Sequence, residues 1–241
     1  MKQRLAPSAK SSRAAAVTPA ALGFRAHSGW AALVAIGGPI ESPSVIDRRR
    51  IELADPKTPR PVQPYHMARE MGLKEAAQYL KRFAHDSKLL AQQALRDEID
   101  RLREGGYRVV NCGIPTGSGR LPATLEATLA SHPAVHTAEG ELFREALIRA
   151  CESLWVPVLS IGERYLLERG AKDFKISVKD LHGRLTELGQ SVGPPWGQDQ
   201  KLAALVAWLA LRRAEGSKQK AVGSKKKTEG SVIPAKAGIY F

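Results

Sequence analysis

The apolar and polar positions at the start of the chain predict two antiparallel strands. Residues 23–36 are largely apolar, which is typical of a buried strand, and Gly37, Gly38 and Pro39 end the segment. Apolar and charged positions alternate over residues 44–53, a pattern that favours a strand with one exposed face. Because the two segments are separated by a short turn, they predict a β-hairpin whose second strand is exposed.

A long helix follows a proline-rich segment at residues 55–64. Apolar residues recur at helical spacing over residues 73–103, and two glycines at 105 and 106 end the pattern. The predicted buried face consists of Leu73, Ala77, Leu80, Ala84, Leu95, Ile99 and Leu102.

The remaining elements alternate between strands and helices. Residues 107–112 and 156–161 predict short strands, residues 113–122 a loop, and residues 133–154 and 199–213 helices, with a further helical segment over residues 172–188. A hairpin followed by alternating helices and strands indicates an α/β fold, with a mixed sheet and helices on both faces.

Composition restricts the class of protein. The chain has 241 residues, of which 43% are hydrophobic, enough for a full core. The longest apolar runs, residues 30–36 and 202–211, are shorter than the roughly 18 residues of a membrane span, so no membrane association is expected. The two cysteines, Cys112 and Cys151, are too few for a disulfide framework and favour the reducing cytoplasm.

The net charge of +13 favours a nucleic-acid partner, but the distribution of the charge along the chain weakens that interpretation. Residues 21–215 hold 27 basic and 23 acidic residues, whereas residues 1–20 and 216–241 contribute +4 and +5. We therefore predict a disordered basic leader at 1–20, a single domain at 21–215, and a disordered lysine-rich tail at 216–241. The end of that tail, residues 231–241, resembles a translated bacterial intergenic repeat.

A cluster of histidines and acids at the start of the helix predicted over 133–154 is a candidate metal site. His132, His136 and Glu139 are the candidate ligands, with Glu141 nearby, because imidazole and carboxylate bind Zn²⁺, Mn²⁺ and Fe²⁺. His136 and Glu139 lie three residues apart and share a helical face. The alternative is that Ser131 or His132 caps the helix and that the acids favour its positive end.

Two other segments are candidates for anion binding. In the first, Gly117, Gly119 and Arg120 offer backbone N–H groups and a guanidinium to a phosphate after a predicted central strand, although a plain flexible loop has the same composition.

In the second, Arg25, His27 and Ser28 lie on the first strand and the loop beside it. Arg25 and His27 either bind an anion or pair with Glu163 or Asp199, and Asp199 alternatively caps the last helix.

Several short stretches resemble the ribonuclease H-like superfamily, in the branch of Holliday-junction resolvases of the RuvC kind and their YqgF-type relatives. Residues 22–31 stand where that branch has its first GIDxG-like strand, and residues 111–115 resemble its VGLP-like stretch. Residues 160–164 match the last two letters of its DER triplet, and Asp199 opens an alanine-rich last helix as in the family. The resemblance covers about residues 22–212 and implies a ribonuclease H-like fold.

The resemblance also implies which acids would be catalytic, and here the chain departs from the family. Arg25 and Gly162 stand where two of the family's acids are expected, which leaves Glu163 and Asp199 as catalytic candidates. The resemblance places Arg25, Glu163 and Asp199 together at the end of the first strand. Because two-metal cleavage of phosphodiesters needs clustered carboxylates, a guanidinium there implies a degenerate nuclease site.

Three functions stay open. The first is a nucleic-acid binder or a diverged nuclease of the ribonuclease H-like class. The second is a metal-dependent or phosphate-binding enzyme that acts on a small substrate and uses His132, His136 and Glu139. The third is a non-catalytic scaffold in which these polar residues only cap helices and pair with each other.

Overall fold

A mixed five-stranded sheet forms the centre of the protein, whose computed structural model describes residues 17–58 and 60–229. The strands are β1 (Thr18–His27), β2 (Trp30–Gly37), β3 (Ser44–Glu52), β4 (Tyr107–Thr116) and β5 (Val158–Gly162). Their order in the sheet is β3-β2-β1-β4-β5. The first three strands are antiparallel, and β1, β4 and β5 are parallel.

Helices cover both faces of this sheet. They are α1 (Pro64–Ala68), α2 (Leu73–Glu104), α3 (Leu125–Ala130), α4 (His132–Ser153), α5 (Leu166–Phe174), α6 (Val178–Gln190) and α7 (Gln198–Glu229), and a 3-10 turn spans Glu163–Tyr165. The predicted α/β fold, a mixed sheet with helices on both faces, is therefore confirmed. Within the described ranges, no helix is long and apolar enough to span a bilayer.

The two faces of the sheet have separate cores. Leu22 and Phe24 of β1 pack with Phe83 of α2 and Phe143 of α4 on one face. On the other face, α5, α6 and α7 enclose an apolar cluster that includes the fully buried Trp208. Successive side chains of a strand point to opposite faces, so the odd-numbered residues of β1 face α7.

Two glycines let α7 lie directly on the sheet. A Cβ atom at Gly23 of β1 would overlap the carbonyl oxygen of Ala203, and one at Gly113 of β4 would overlap the carbonyl oxygen of Val206. The start of α7 is thereby held close to the parallel strands.

The single strand predicted over residues 23–36 is wrong. β1 and β2 are separate antiparallel strands joined by a two-residue turn, in which His27 pairs with Trp30 and Gly29 has a φ of +82°. Apolar residues lie on both sides of Ser28 and Gly29, so the pattern predicted one continuous strand and the turn was missed. The N-terminal unit is therefore a three-stranded antiparallel meander, in which the predicted exposed strand at 44–53 is β3.

Two further predictions need correction. The loop predicted over residues 113–122 begins later, because β4 continues to Thr116, opposite Gly162 of β5. The helical segment predicted over 172–188 is two helices, since Lys175 has a φ of +56° and Ser177 caps α6 by accepting from the backbone N–H of Asp180. The short helices α1 and α3 were not predicted.

The described strands and helices extend beyond the predicted domain bounds, residues 21 and 215, at both ends. β1 begins at Thr18, and the buried Ala20 pairs with both Gly37 and Val109. At the other end, α7 continues past residue 215 to Glu229. The predictions for residues 1–16 and 230–241 lie outside the described residues.

Candidate functional site

The carboxyl ends of the three parallel strands meet at one edge of the sheet, and β1 contributes two basic side chains there. Arg25 and His27 are odd-numbered residues of β1 and therefore extend toward the face covered by α7. This arrangement follows from the alternation of the strand and from the position of β1 in the middle of the sheet.

Arg25 forms an ion pair with Glu163, the first residue of the 3-10 turn after β5. The guanidinium Nη2 donates to Oε1 of Glu163 over 2.8 Å. The side chains are 22% and 40% exposed, so the pair is only partly screened by solvent. The contact expected between these two positions is therefore present.

Asp199 contacts a different residue of the same strand. Nε2 of His27 lies 2.9 Å from Oδ1 of Asp199. Although the two atoms are close, Nε2 of His27 has no partner with hydrogen-bond geometry among the residues that the structure describes. The His27 ring stacks on Trp30, with ring centroids 4.3 Å apart, which fixes its plane. Asp199 lies in the first turn of α7, where an acid is favoured.

These two contacts change the chemistry of the strand ends. Glu163 and Asp199, the two acids predicted as catalytic, each face a basic residue of β1 rather than each other. The guanidinium of Arg25 thus balances the charge of Glu163, which would otherwise attract divalent cations, and the imidazole of His27 lies against the carboxylate of Asp199.

A polar cleft of about 640 Å³ opens beside these pairs. Its basic groups are Arg144 of α4 and Arg164, whose guanidinium lies over the ring of Tyr165 at 4.5 Å from the centroid. Glu163 is the acid in its lining. The rest of the lining is Thr116, Gly117, Ser118, Gly119, Thr137, Gly162, Leu167, Gln198 and Leu202.

The glycine-containing loop predicted as a phosphate cradle forms one wall of this cleft. A Cβ atom at Gly117 would overlap the guanidinium of Arg144, and one at Gly119 would overlap the side chain of Thr137. The loop therefore approaches α4 closely at both glycines, and the flexible Arg144 side chain can give way more easily than the short side chain of Thr137. The basic residue that accompanies the loop in the cleft is Arg144, because the predicted Arg120 is exposed outside the lining. Ser28 is likewise exposed in the β1–β2 turn.

A second cluster lies at the start of α4 and contains the predicted metal ligands. His132 and His136 are four residues apart on α4, and their Nε2 atoms are 3.1 Å apart. Ser131 caps the helix by accepting from the backbone N–H of Ala134. The structure adds a third imidazole, His66 of α1, and one ring nitrogen from each histidine lies within 4.8 Å of the others.

Glu139 connects the two helices of this cluster. It is 3% exposed, and its Oε1 lies 2.8 Å from Nδ1 of His66 and accepts from the backbone N–H of the same residue over 3.3 Å. Its Oε2 lies 3.9 Å from Nδ1 of His136. Burial and the charge of Glu139 together raise the pKa of the neighbouring Tyr65.

His66 is the functional candidate that sequence reasoning missed. It follows a proline-rich segment without a clear pattern, and it lies 66 residues before His132 in the sequence. Glu141, noted near the predicted ligands, faces the other way, toward Arg144 and Gly117 at the cleft.

Comparisons with known proteins give no family assignment. No protein-family model matches the chain, and no curated protein matches it. Two solved structures of RuvC from Thermus thermophilus are similar: one in complex with a Holliday junction substrate, at 12% identity, and a second RuvC structure, at 10% identity. Each has a TM-score of 0.44, and each match covers 78% of this chain and 90% of the other. The likeness is one of overall fold.

Proposed function

We propose that the protein binds nucleic acid through phosphates held in the cleft at the strand ends, without metal-dependent cleavage. One observation carries this proposal: Glu163 is paired with the guanidinium of Arg25 and Asp199 contacts His27, while Arg144 and Arg164 line the cleft. The cleft is thus suited to an anion rather than to a pair of cations.

The charges around the cleft favour binding of an anion over binding of two divalent cations. Two-metal cleavage requires carboxylates that share their charge between two divalent ions. Glu163 already shares its charge with the guanidinium of Arg25 at 2.8 Å, and Arg144 has only a loose contact with Glu141 at 3.6 Å. Guanidinium groups bind phosphate in a bidentate manner, so Arg144 and Arg164 are suitable phosphate ligands.

An aromatic ring at the cleft favours nucleic acid over inorganic phosphate. Tyr165 is 51% exposed and lines the cleft, with Arg164 over one side of its ring. Exposed aromatic rings beside basic groups are how many proteins hold unpaired bases next to the phosphates of the same strand. The hydroxyl groups of Thr116, Ser118 and Thr137 add hydrogen-bond partners for phosphate oxygens.

The lysine-rich end of the chain adds a non-specific contribution to the affinity for nucleic acid. Five lysines lie between residues 218 and 227, and they would attract any polyanion at low salt. A test must therefore separate this contribution from that of the cleft.

The free thiols of Cys112 and Cys151 are both buried, which supports our placing the protein in the reducing cytoplasm.

The test is the salt dependence of binding to a fluorescently labelled branched DNA duplex, with single-stranded DNA for comparison. We expect Arg144→Ala and Arg164→Ala to weaken binding and to lower the slope of log affinity against log salt by about 0.9 for each phosphate that the protein no longer neutralises. Arg169→Ala is the matched control, because that arginine pairs with Asp173 on α5 and does not line the cleft.

A charge-neutralised tail separates the two sources of affinity. Replacing Lys225, Lys226 and Lys227 with glutamine should weaken binding at low salt and leave the effect of the cleft variants intact. If the tail variant loses all binding and the cleft variants bind like the wild type, the proposal is wrong and the cleft has another ligand. Absence of binding by the wild type would favour a non-catalytic scaffold.

A further inference from the structure

The histidine cluster at the start of α4 is a built site rather than a chance grouping. Its three imidazoles come from two elements, α1 and α4, that are far apart in the sequence and packed together in the fold. His132 and His136 occupy the same helix face, one turn apart, and His66 approaches them from α1 with ring centroids at 5.6 and 4.9 Å.

The charges around Glu139 indicate that a cation belongs in this cluster. A carboxylate that is 3% exposed is costly unless it is paired. Among the described residues, its ion-pair contacts are with His66 and His136, and none is with a lysine or arginine. This differs from the buried Glu98, which contacts both Arg49 and Arg101.

We propose that His66, His132 and His136 bind one divalent transition-metal ion, with Glu139 as the residue that orients His66. Nδ1 of His66 lies 2.8 Å from the carboxylate of Glu139, so it donates its proton there and leaves Nε2 as the free donor toward the metal. A histidine held by a carboxylate on its outer nitrogen is the usual arrangement around protein-bound metals. The backbone N–H of His66 donates to the same oxygen, which fixes the residue further.

The donor atoms select the class of metal. Three imidazole nitrogens favour Zn²⁺ or Co²⁺ and are poor ligands for Mg²⁺ or Ca²⁺, which take oxygen. In tetrahedral coordination with metal–nitrogen bonds of about 2.0–2.1 Å, ligand nitrogens lie about 3.4 Å apart. The observed 3.1 Å between His132 and His136, and the 4.8 Å limit for all three, require only small side-chain movements to reach this.

The site is open on one side. His132 and His136 are exposed, whereas Glu139 is buried behind them. Three protein ligands with an accessible fourth position are typical of sites that hold a water molecule or a substrate, rather than of closed structural sites. This metal site is independent of the proposed nucleic-acid binding, because none of its three ligands lines the cleft.

The test uses the untagged full-length chain, freed of metal with a chelator and titrated with Co²⁺. We expect one Co²⁺ per chain with the visible absorption of a low-coordinate site, displaced by Zn²⁺. His66→Ala, His132→Ala and His136→Ala should each weaken Co²⁺ binding by more than Glu139→Gln, for which we expect a loss of about 10- to 100-fold. His182→Ala is the control, since His182 is exposed on α6.

Thermal unfolding provides a second readout that separates ligand loss from misfolding. Added Zn²⁺ should raise the melting temperature of the wild type and of His182→Ala, but not that of the three ligand variants, which should unfold like the wild type without metal. A wild type that binds no Co²⁺ or Zn²⁺ would overturn the proposal. So would Co²⁺ binding that His66→Ala leaves unchanged, because the ions would then be held elsewhere.

Discussion

The strand-end cleft and the histidine cluster combine the same kinds of side chain with opposite results. At the strand ends, Glu163 is paired with the guanidinium of Arg25, which balances its negative charge, and Asp199 contacts the imidazole of His27. In the cluster, Glu139 contacts the imidazoles of His66 and His136 and the backbone N–H of His66, and His132 completes a group of three imidazoles. The first region holds an acid balanced by a fixed positive charge, whereas the second holds three imidazoles beside an acid whose ion-pair contacts, among the described residues, include no lysine or arginine.

This difference shows that the number of acids and histidines in a region does not by itself indicate a metal site. What matters is whether their charges and donor atoms are already satisfied by neighbouring side chains. Arg25 supplies a fixed positive charge at the strand ends, whereas in the cluster Glu139 orients His66 and leaves its other ring nitrogen available.

The largest effect is expected from a substitution that disturbs the support of the cleft but not that of the cluster. Gly23→Ala would force a methyl group against the backbone of α7 at Ala203, which has no room to give way. We expect a loss of about 3 kcal/mol in the free energy of unfolding, measured by urea denaturation. Because α7 contributes Gln198 and Leu202 to the lining of the cleft, DNA binding should weaken more than Co²⁺ binding, whose ligands lie on α1 and α4.

The control for this substitution is Gly183→Ala. Gly183 lies in α6 with open space around its Cα, so alanine should be neutral or stabilise the helix by up to about 1 kcal/mol. Equal stabilities of the two variants would show that α7 does not lie against β1 as described.

An intermediate effect is expected when the balance of charge at the strand ends is reversed. Arg25→Asp would place a third acid beside Glu163 and Asp199, and we expect a loss of about 1–2 kcal/mol in the absence of metal, since the original pair is partly exposed. The melting temperature of this variant should then rise when Mg²⁺ or Mn²⁺ is added, because the new acidic cluster binds the ion only when folded.

The variant Arg25→Ala distinguishes the effect of losing the Arg25–Glu163 ion pair from the effect of adding an acid. It should be destabilised without any response to Mg²⁺, and the wild type should likewise show no response. The wild type should leave junction and duplex DNA uncut in Mg²⁺. Cleavage by the wild type that Asp199→Asn abolishes would show that the acids are not neutralised in the working protein.

The smallest effect concerns the helix end that carries the cluster. Ser131 caps α4 directly before His132, and Ser131→Ala should cost about 1 kcal/mol of stability. Co²⁺ affinity should also fall slightly, because the first turn of α4 becomes less ordered. Thr124→Ala removes the equivalent cap of α3 and should leave Co²⁺ affinity unchanged, as measured by the same titration. Equal Co²⁺ affinities for both variants would mean that the cap does not support the cluster.

Much of the fold was predictable because it follows from local patterns. The bounds of α2 and α4 differ from the predicted helices by one residue at each end at most, since their apolar spacing is regular and Gly105 or Ser131 marks an end. The contact between Arg25 and Glu163 was expected from the resemblance and agrees with the alternation of β1.

What could not be predicted depends on contacts between distant segments. The turn at Ser28 and Gly29 lies within an apolar run, so only the pairing of His27 with Trp30 reveals two strands. His66 has no periodic neighbours that indicate its direction, and its role depends on the packing of α1 against α4. The partner of Asp199 was likewise undecided, because both Arg25 and His27 were within reach of the same strand end.

Anomalous X-ray diffraction from crystals soaked in Co²⁺ and, separately, in Mn²⁺ tests the central contrast most directly. The account predicts a Co²⁺ peak among the ring nitrogens of His66, His132 and His136, and no peak of either metal within bonding distance of Glu163 or Asp199. A metal peak bridging Glu163 and Asp199, or no Co²⁺ among the three imidazoles, would contradict it.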